Sequence, residues 1–277
     1  MNYPVLGGLL AISFLVAVYK IQFLIIYPSS LVPGSRTDVD TPSSYDMKYT
    51  EETVYAKDGV SVKVFVIPST DPAAKKTILM FGPNAGNMGL SLPIAHIIHK
   101  AGYNVVLMDY RGYGKSSGSP SEKGLKLDAE AVIRFIKLES SLANTQLYLY
   151  GRSLGGAVTI YCATNLPQDW IAGAILENTF LSINKCVPSV LPAVGFLSPL
   201  VTQTWKSEDL ITKIRPEMPI LFLGGGKDEI IPPSHFKKLY ELCTSQKKQM
   251  CIYPEGTHND TVVQTGYFKD LLGFLST

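Results

Sequence analysis

Leu147-Tyr-Leu-Tyr-Gly151-Arg-Ser153-Leu-Gly-Gly156 decides how this chain is read. A short apolar, β-rich run ends in G-x-S-x-G and opens into Ala157-Val-Thr-Ile-Tyr-Cys-Ala163. That pattern predicts a strand, a sharp turn and a helix, with the serine at the apex. Such a turn holds its central residue in a strained backbone conformation and lifts the hydroxyl above the sheet. Side chains at Gly151 or Gly155 would collide with the neighbouring strand or helix. By composition alone the motif should occur roughly 0.1 times in a chain this long. Its strand-and-helix setting therefore points to a nucleophile, with an ordinary tight turn as the bland alternative.

A serine hydroxyl needs a base to take its proton and an acid to hold that base. In enzymes built on this elbow the partners follow in chain order Ser, Asp/Glu, His. Of the four histidines, His96 and His99 precede Ser153 in a helix-like segment. His235, in Pro232-Pro-Ser-His235, reads as the first turn of a helix and as a capping or surface residue. His258, in Pro254-Glu-Gly-Thr-His258-Asn-Asp-Thr261, follows an apolar strand-like run, where parallel sheets place their chemistry. It is the expected base. For the acid, Asp228 in Gly224-Gly-Gly-Lys-Asp228 follows a strand and a glycine turn, and it is preferred to Glu177. Glu177 ends an earlier strand-like run and reads otherwise as a structural carboxylate.

Acyl transfer also needs donors for the developing oxyanion. One is expected at the backbone N–H of Leu154, the residue after the nucleophile. The other should come from Gly82-Pro-Asn84-Ala-Gly-Asn87. Pro83 has no N–H; Asn84 is the choice and Ala85 the runner-up.

These motifs together resemble the membrane-anchored α/β-hydrolases that include the fungal bud-emergence hydrolases and the animal α/β-hydrolase-domain-containing protein thirteen. The resemblance runs from about residue 54 to the C-terminus. It rests on Asn84-Ala-Gly-Asn87, Asp109-Tyr-Arg-Gly-Tyr-Gly114 with Ser116, Gly151-Arg-Ser-Leu-Gly-Gly156, Glu177-Asn-Thr-Phe-Leu-Ser182, Asp228 with Ile231-Pro-Pro233, and Gly256-Thr-His-Asn-Asp-Thr261. It implies that Ser153, Asp228 and His258 are the charge-relay residues. One departure stands out. The family usually carries His-Gly before Asn-Ala-Gly-Asn, and here the pair is Gly82-Pro83. That bears on the strength of the oxyanion hole and leaves the triad untouched.

At 277 residues the chain can hold one large domain with ample core. Strand-like runs at 60–67, 77–81, 104–109, 146–151, 172–177, 220–224 and 249–253 alternate with helix-like segments such as 122–139 and 236–243. The expected architecture is an α/β-hydrolase fold: a mostly parallel sheet with helices on both faces. The interval 180–219 breaks the rhythm. It is apolar and proline-rich and reads as a small lid, with Leu191, Val194, Phe196, Leu197 and Trp205 as candidate acyl-pocket residues. Asp109 and Arg111 are expected to pair and shape their loop, and Arg152 to meet a carboxylate of the fold.

Residues 5–27 are almost continuously apolar, interrupted by Lys20 and Gln22. About 20 apolar residues span a bilayer. Residues 1–27 therefore read as an anchor, 28–49 as a linker rich in Pro, Ser and Thr, and 50–277 as the catalytic domain. The anchor is expected to supply location and not chemistry. The location expected is an endomembrane, through a single pass.

The four cysteines have neither disulfide nor zinc spacing. A net charge of +2 without basic clusters excludes nucleic acid as an expected partner. No cofactor or metal is expected. The expected chemistry is hydrolysis of carboxylic esters or thioesters, with S-acylated proteins and membrane lipid as candidate partners. The opposing reading is a hydrolase fold kept as a membrane scaffold.

Overall fold

The computed structural model describes residues 3–277. An eight-stranded sheet runs in the order β1-β2-β4-β3-β5-β6-β7-β8. Its strands are β1 (Thr50–Tyr55), β2 (Ser61–Ile67), β3 (Lys76–Phe81), β4 (Asn104–Met108), β5 (Gln146–Arg152), β6 (Gly173–Glu177), β7 (Ile220–Gly225) and β8 (Lys248–Tyr253). The β1–β2 and β2–β4 pairs are antiparallel, and every pair from β4–β3 to β7–β8 is parallel. The mostly parallel sheet expected from the strand spacing is therefore present. The pattern of apolar runs does not reveal β1, because Thr50-Glu-Glu-Thr-Val-Tyr55 is polar and largely exposed, as an edge strand can be.

The helices are α1 (Tyr3–Ile26), α2 (Leu92–Lys100), α3 (Glu122–Leu138), α4 (Leu154–Asn165), α5 (Ile183–Val190), α6 (Ser207–Ile211), α7 (Pro233–Leu242) and α8 (Tyr267–Ser276). Residues of α3, α4, α6 and α7 pack in one buried apolar cluster with the sheet. α2 and α8 join a second cluster on the opposite face. Both clusters exist because the central strands are apolar on both sides; all five residues of β4 and of β6 are buried. The carboxyl ends of β3, β5, β6, β7 and β8 lie side by side, and each carries a candidate site residue at its end or in the loop that follows. Open α/β sheets bind their ligands in this crevice.

The N-terminal part departs from the expectation of an anchor and linker lying outside the core. α1 is long and apolar enough to cross a membrane, and much of it is exposed. Its C-terminal end is docked on the domain. The Gln22 Oε1 atom accepts from Thr202 N–H at 2.8 Å, and Trp205 Nε1 donates to the Tyr27 hydroxyl at 2.8 Å. The segment 28–49 is packed as well: Asn87 Nδ2 donates to the carbonyls of Ser35 and Asp38, each at 3.1 Å. Arg36 Nη2 donates to Ser116 O at 3.0 Å, and Met47 is buried. The composition of this segment suits a linker, but its carbonyls accept from the half-buried Asn87 side chain of the domain, which only the fold could reveal.

The elbow sets the tightest steric limit. A Cβ on Gly155 would lie 2.0 Å from Phe81 O, and one on Gly151 would lie 2.2 Å from Gly155 O. Backbone atoms cannot yield at those distances. Gly155→Ala should therefore destabilise the protein by on the order of 3 kcal/mol. The check is a thermal melt of the detergent-solubilised full chain, with a clear fall in Tm expected.

Candidate active site

Ser153 sits at the end of β5 with φ 53° and ψ −116°, a conformation costly for any residue with a Cβ. Three hydrogen bonds hold it. Its N–H donates to Glu177 O at 2.8 Å, and its carbonyl accepts from Thr179 Oγ1 at 2.8 Å and from Gly156 N–H at 3.0 Å. His258 reaches it from the loop after β8, with Nε2 3.2 Å from Ser153 Oγ. The other ring nitrogen, Nδ1, lies 2.7 Å from Asp228 Oδ2. Asp228 Oδ1 accepts from the N–H groups of Ile230 (3.0 Å) and Ile231 (2.7 Å). All three side chains are buried. Because the carboxylate only accepts, Nδ1 carries the ring hydrogen and Nε2 presents its lone pair to the serine.

Glu177 takes another place. It is completely buried, and its Oε2 accepts from the Tyr267 hydroxyl at 2.6 Å and from the Tyr150 hydroxyl. Burial, reinforced by the Glu177 charge, pushes both phenols far above their ordinary pKa and keeps them as donors. Arg152 Nε lies 3.5 Å from Glu177 Oε1, the carboxylate pairing expected for this arginine. Arg152 Nη2 donates to His258 O at 2.9 Å and to Asn259 Oδ1 at 3.0 Å. Asn178 Nδ2 also donates to His258 O, at 3.1 Å. Glu177, Arg152 and Asn178 thus support the histidine loop without touching the serine hydroxyl. The sequence alone does not single out the two tyrosines or Asn178, since nothing local marks a residue that acts through another's backbone.

The loop after β3 lies across the same cleft. Asn84, Ala85, Leu154, Ser153 and His258 line one cavity of about 420 Å³. Among the described residues, the Asn84 N–H donates to no protein acceptor. The loop is braced through its carbonyls: Tyr110 OH donates to Gly82 O at 3.1 Å, and Tyr113 OH donates to Asn84 O at 2.7 Å. Asn84 Nδ2 donates to Ile26 O at 3.1 Å. Gly82-Pro83 therefore stands in a loop held by partners on both flanks.

Several expected residues lie elsewhere. Asp109 and Arg111 do not pair. Arg111 holds Asp128 (Nη2–Oδ1, 2.8 Å) and Asp58 (Nη1–Oδ2, 2.7 Å), a fork matched to two carboxylates. Asp109 instead accepts from Met88 N–H at 2.7 Å behind the loop after β3. His235 does lie in the first turn of α7 but is buried, facing Leu181 N–H and Cys186 Sγ. Of the residues expected in a lid, Leu191 lines the cavity. Trp205 belongs to the core, and α5 supplies Ile183, Cys186, Val187 and Val190 instead. Their spacing along one helical turn and the next puts all four on the cavity side of α5, a placement the proline-rich composition did not disclose.

A family model described as "Serine aminopeptidase, S33" matches residues 72–217. Protein bem46 of Schizosaccharomyces pombe is 42% identical over 271 residues, covering 97% of this chain and 89% of that protein. The chain belongs to this α/β-hydrolase family. An uncharacterized membrane protein of Saccharomyces cerevisiae is 42% identical over 273 residues, covering 98% of this chain and 95% of its own length. Among solved structures, an esterase of Pyrococcus furiosus superposes with a TM-score of 0.74 at 19% identity, covering 87% of this chain and 95% of that one. That likeness shows the α/β-hydrolase fold. The chain is thus a hydrolase by family, as the motif set implied.

Asp109 yields a pH test. Burial, only partly countered by the Met88 hydrogen bond, pushes its carboxyl up to about 7. In the unfolded chain an aspartate titrates near about 3.9. Between those values the folded form holds the proton and the unfolded form has lost it, so this contribution to stability falls as pH rises. Asp109→Asn should flatten the decline in Tm between about pH 4.5 and 7.5. Identical slopes for the two proteins would count against it.

Proposed function

We infer that the chain is a membrane-tethered serine hydrolase of carboxylic esters and thioesters. The observation that carries this reading is the continuous Ser153–His258–Asp228 hydrogen-bond chain, at 3.2 and 2.7 Å, on a strained elbow. His258 Nε2 takes the Ser153 proton as Oγ attacks the acyl carbonyl. The N–H groups of Leu154 and Asn84 receive the tetrahedral oxyanion. His258 then gives the proton to the leaving alcohol or thiol. Water, deprotonated by the same nitrogen, attacks the acyl-serine; its collapse frees the acid and returns the proton to Ser153. Asp228 holds the ring. No cofactor enters these steps.

The cavity lining favours acyl substrates over peptides with a free amino end. Among the described residues lining it, none is Asp or Glu, so an α-ammonium group would be desolvated without a partner. Phe81, Ile94, Phe180, Ile183 and Val187 offer instead a surface suited to an acyl chain. Residues 1–27 are the proposed anchor of a single pass, 50–277 the hydrolase domain and 180–219 its lid. An endomembrane is the proposed location, and palmitoyl thioesters of protein cysteines are the substrate class we place first. The relative in Saccharomyces cerevisiae is named a membrane protein, which agrees with the tether.

Ser153→Ala should abolish fluorophosphonate labelling and ester hydrolysis while the melting curve stays that of a folded protein. Labelling retained at another serine would overturn the assignment. Asp228→Asn should cost about 10⁴-fold in kcat, because the amide favours the wrong histidine tautomer. Glu177→Gln should cost far less activity and show itself mainly as a lower Tm. A reversed ranking with both variants folded would move the acid to Glu177.

A further inference from the structure

The C-terminal end of α1 enters the catalytic cavity. Ile25 and Ile26 line it together with Ser153, His258 and the inner face of α5, and Val32 follows from the next segment. The last carbonyls of a helix have no partner within the helix, and in a membrane helix an unpaired one is costly. Here the Ile26 carbonyl accepts from Asn84 Nδ2 at 3.1 Å, so the helix end is closed by the loop that supplies an oxyanion donor. Gln22, buried on the domain side, fixes the rotation of the helix through Thr202.

The mouth of the cavity is apolar. Ile25, Val32, Leu90, Val190 and Ile230 all line it and are all exposed. They come from α1 and from four separate segments after it, so the apolar rim is a product of the fold. It is continuous with the exposed apolar side chains of α1, among them Leu24 and Ile21. A rim of this kind on a water-facing surface would be a liability; next to a membrane helix it is a seat on the lipid.

We propose that α1 ends as a wall of the acyl cavity and sets the cavity mouth on the bilayer, so that the substrate is a long acyl chain entering sideways from the membrane. The occupant of the rim is the hydrocarbon of the bilayer. The cavity, about 420 Å³, falls within the range of small-molecule pockets and has the room for a chain beyond the carbonyl. Ile25 and Ile26 are then determinants of chain length as well as parts of the tether. This proposal rests on the serine-hydrolase reading for its chemistry, though not for its geometry.

Two measurements on the full chain in phosphatidylcholine vesicles test it. In the first, the Ser153→Ala protein is irradiated with methyl hexadecanoate carrying a mid-chain diazirine. Adducts are expected on peptides covering residues 25–32 and on those covering 183–191. Adducts confined to α1 upstream of residue 25 would overturn the proposal, and this result does not depend on catalysis. In the second, Ile25→Trp fills the wall in the otherwise native enzyme. The ratio of kcat/KM for dodecanoyl over butanoyl thioesters should fall about tenfold. A ratio equal to that of the wild type, with Ser153 still labelled by fluorophosphonate, would overturn the proposal. Adducts as expected in a wild type that labels at no serine would sink the hydrolase reading and leave the cavity wall standing.

Discussion

The site depends on one steric constraint, the absence of side chains where α4 starts against the end of β3. Gly155 passes so close to Phe81 O, and Gly151 to Gly155 O, that no Cβ has room. This approach puts the first turn of α4, and with it the Leu154 N–H, beside the loop after β3. The cleft between Leu154 and Asn84 follows from that closeness. The same approach bends the chain at Ser153 into φ 53°, a strain of about 1–3 kcal/mol. The hydrogen bonds from Ser153 N–H to Glu177 O and from Thr179 to Ser153 O offset it.

Beneath the serine lies a second layer of side chains that makes no hydrogen bond to the Ser153 hydroxyl. Tyr150 and Tyr267 donate to the buried Glu177 carboxylate, and Arg152 lies against the same group. A buried carboxylate without such partners would be heavily penalised. With them it becomes a fixed post, and Arg152 transmits its position to the carbonyl of His258. Two carboxylates thus serve one histidine by different routes. Asp228 holds the ring directly, and Glu177 holds the loop that carries it.

The loop after β3 shows a comparable division. Without the His-Gly pair, it is held by Tyr110 and Tyr113 on one flank and by the N-terminal segment on the other, through Asn84 to Ile26 and Asn87 to Ser35 and Asp38. Displacing the N-terminal segment would therefore release donors on the loop itself. The N-terminal segment and the site are one mechanical unit.

Local motifs are legible in the chain because they join neighbouring residues. G-x-S-x-G, the chain order Ser, Asp, His and the alternation of apolar runs set out the sheet, the elbow and the histidine loop. The edge strand β1 is not legible in this way, because its polar residues carry no burial signal. The partners of Asp109 and Arg111 are hidden too. Arg111 lies 17 residues from Asp128 and 53 from Asp58, and no local pattern ties such positions together. The sequence by itself determined the elbow, the candidate nucleophile, base and acid, and an apolar helix of membrane-spanning length. Only the tertiary structure decided that the end of this helix lines the cavity. Hydrophobicity reports that a segment avoids water; it does not report which protein surface completes the hydrogen bond of its last carbonyl.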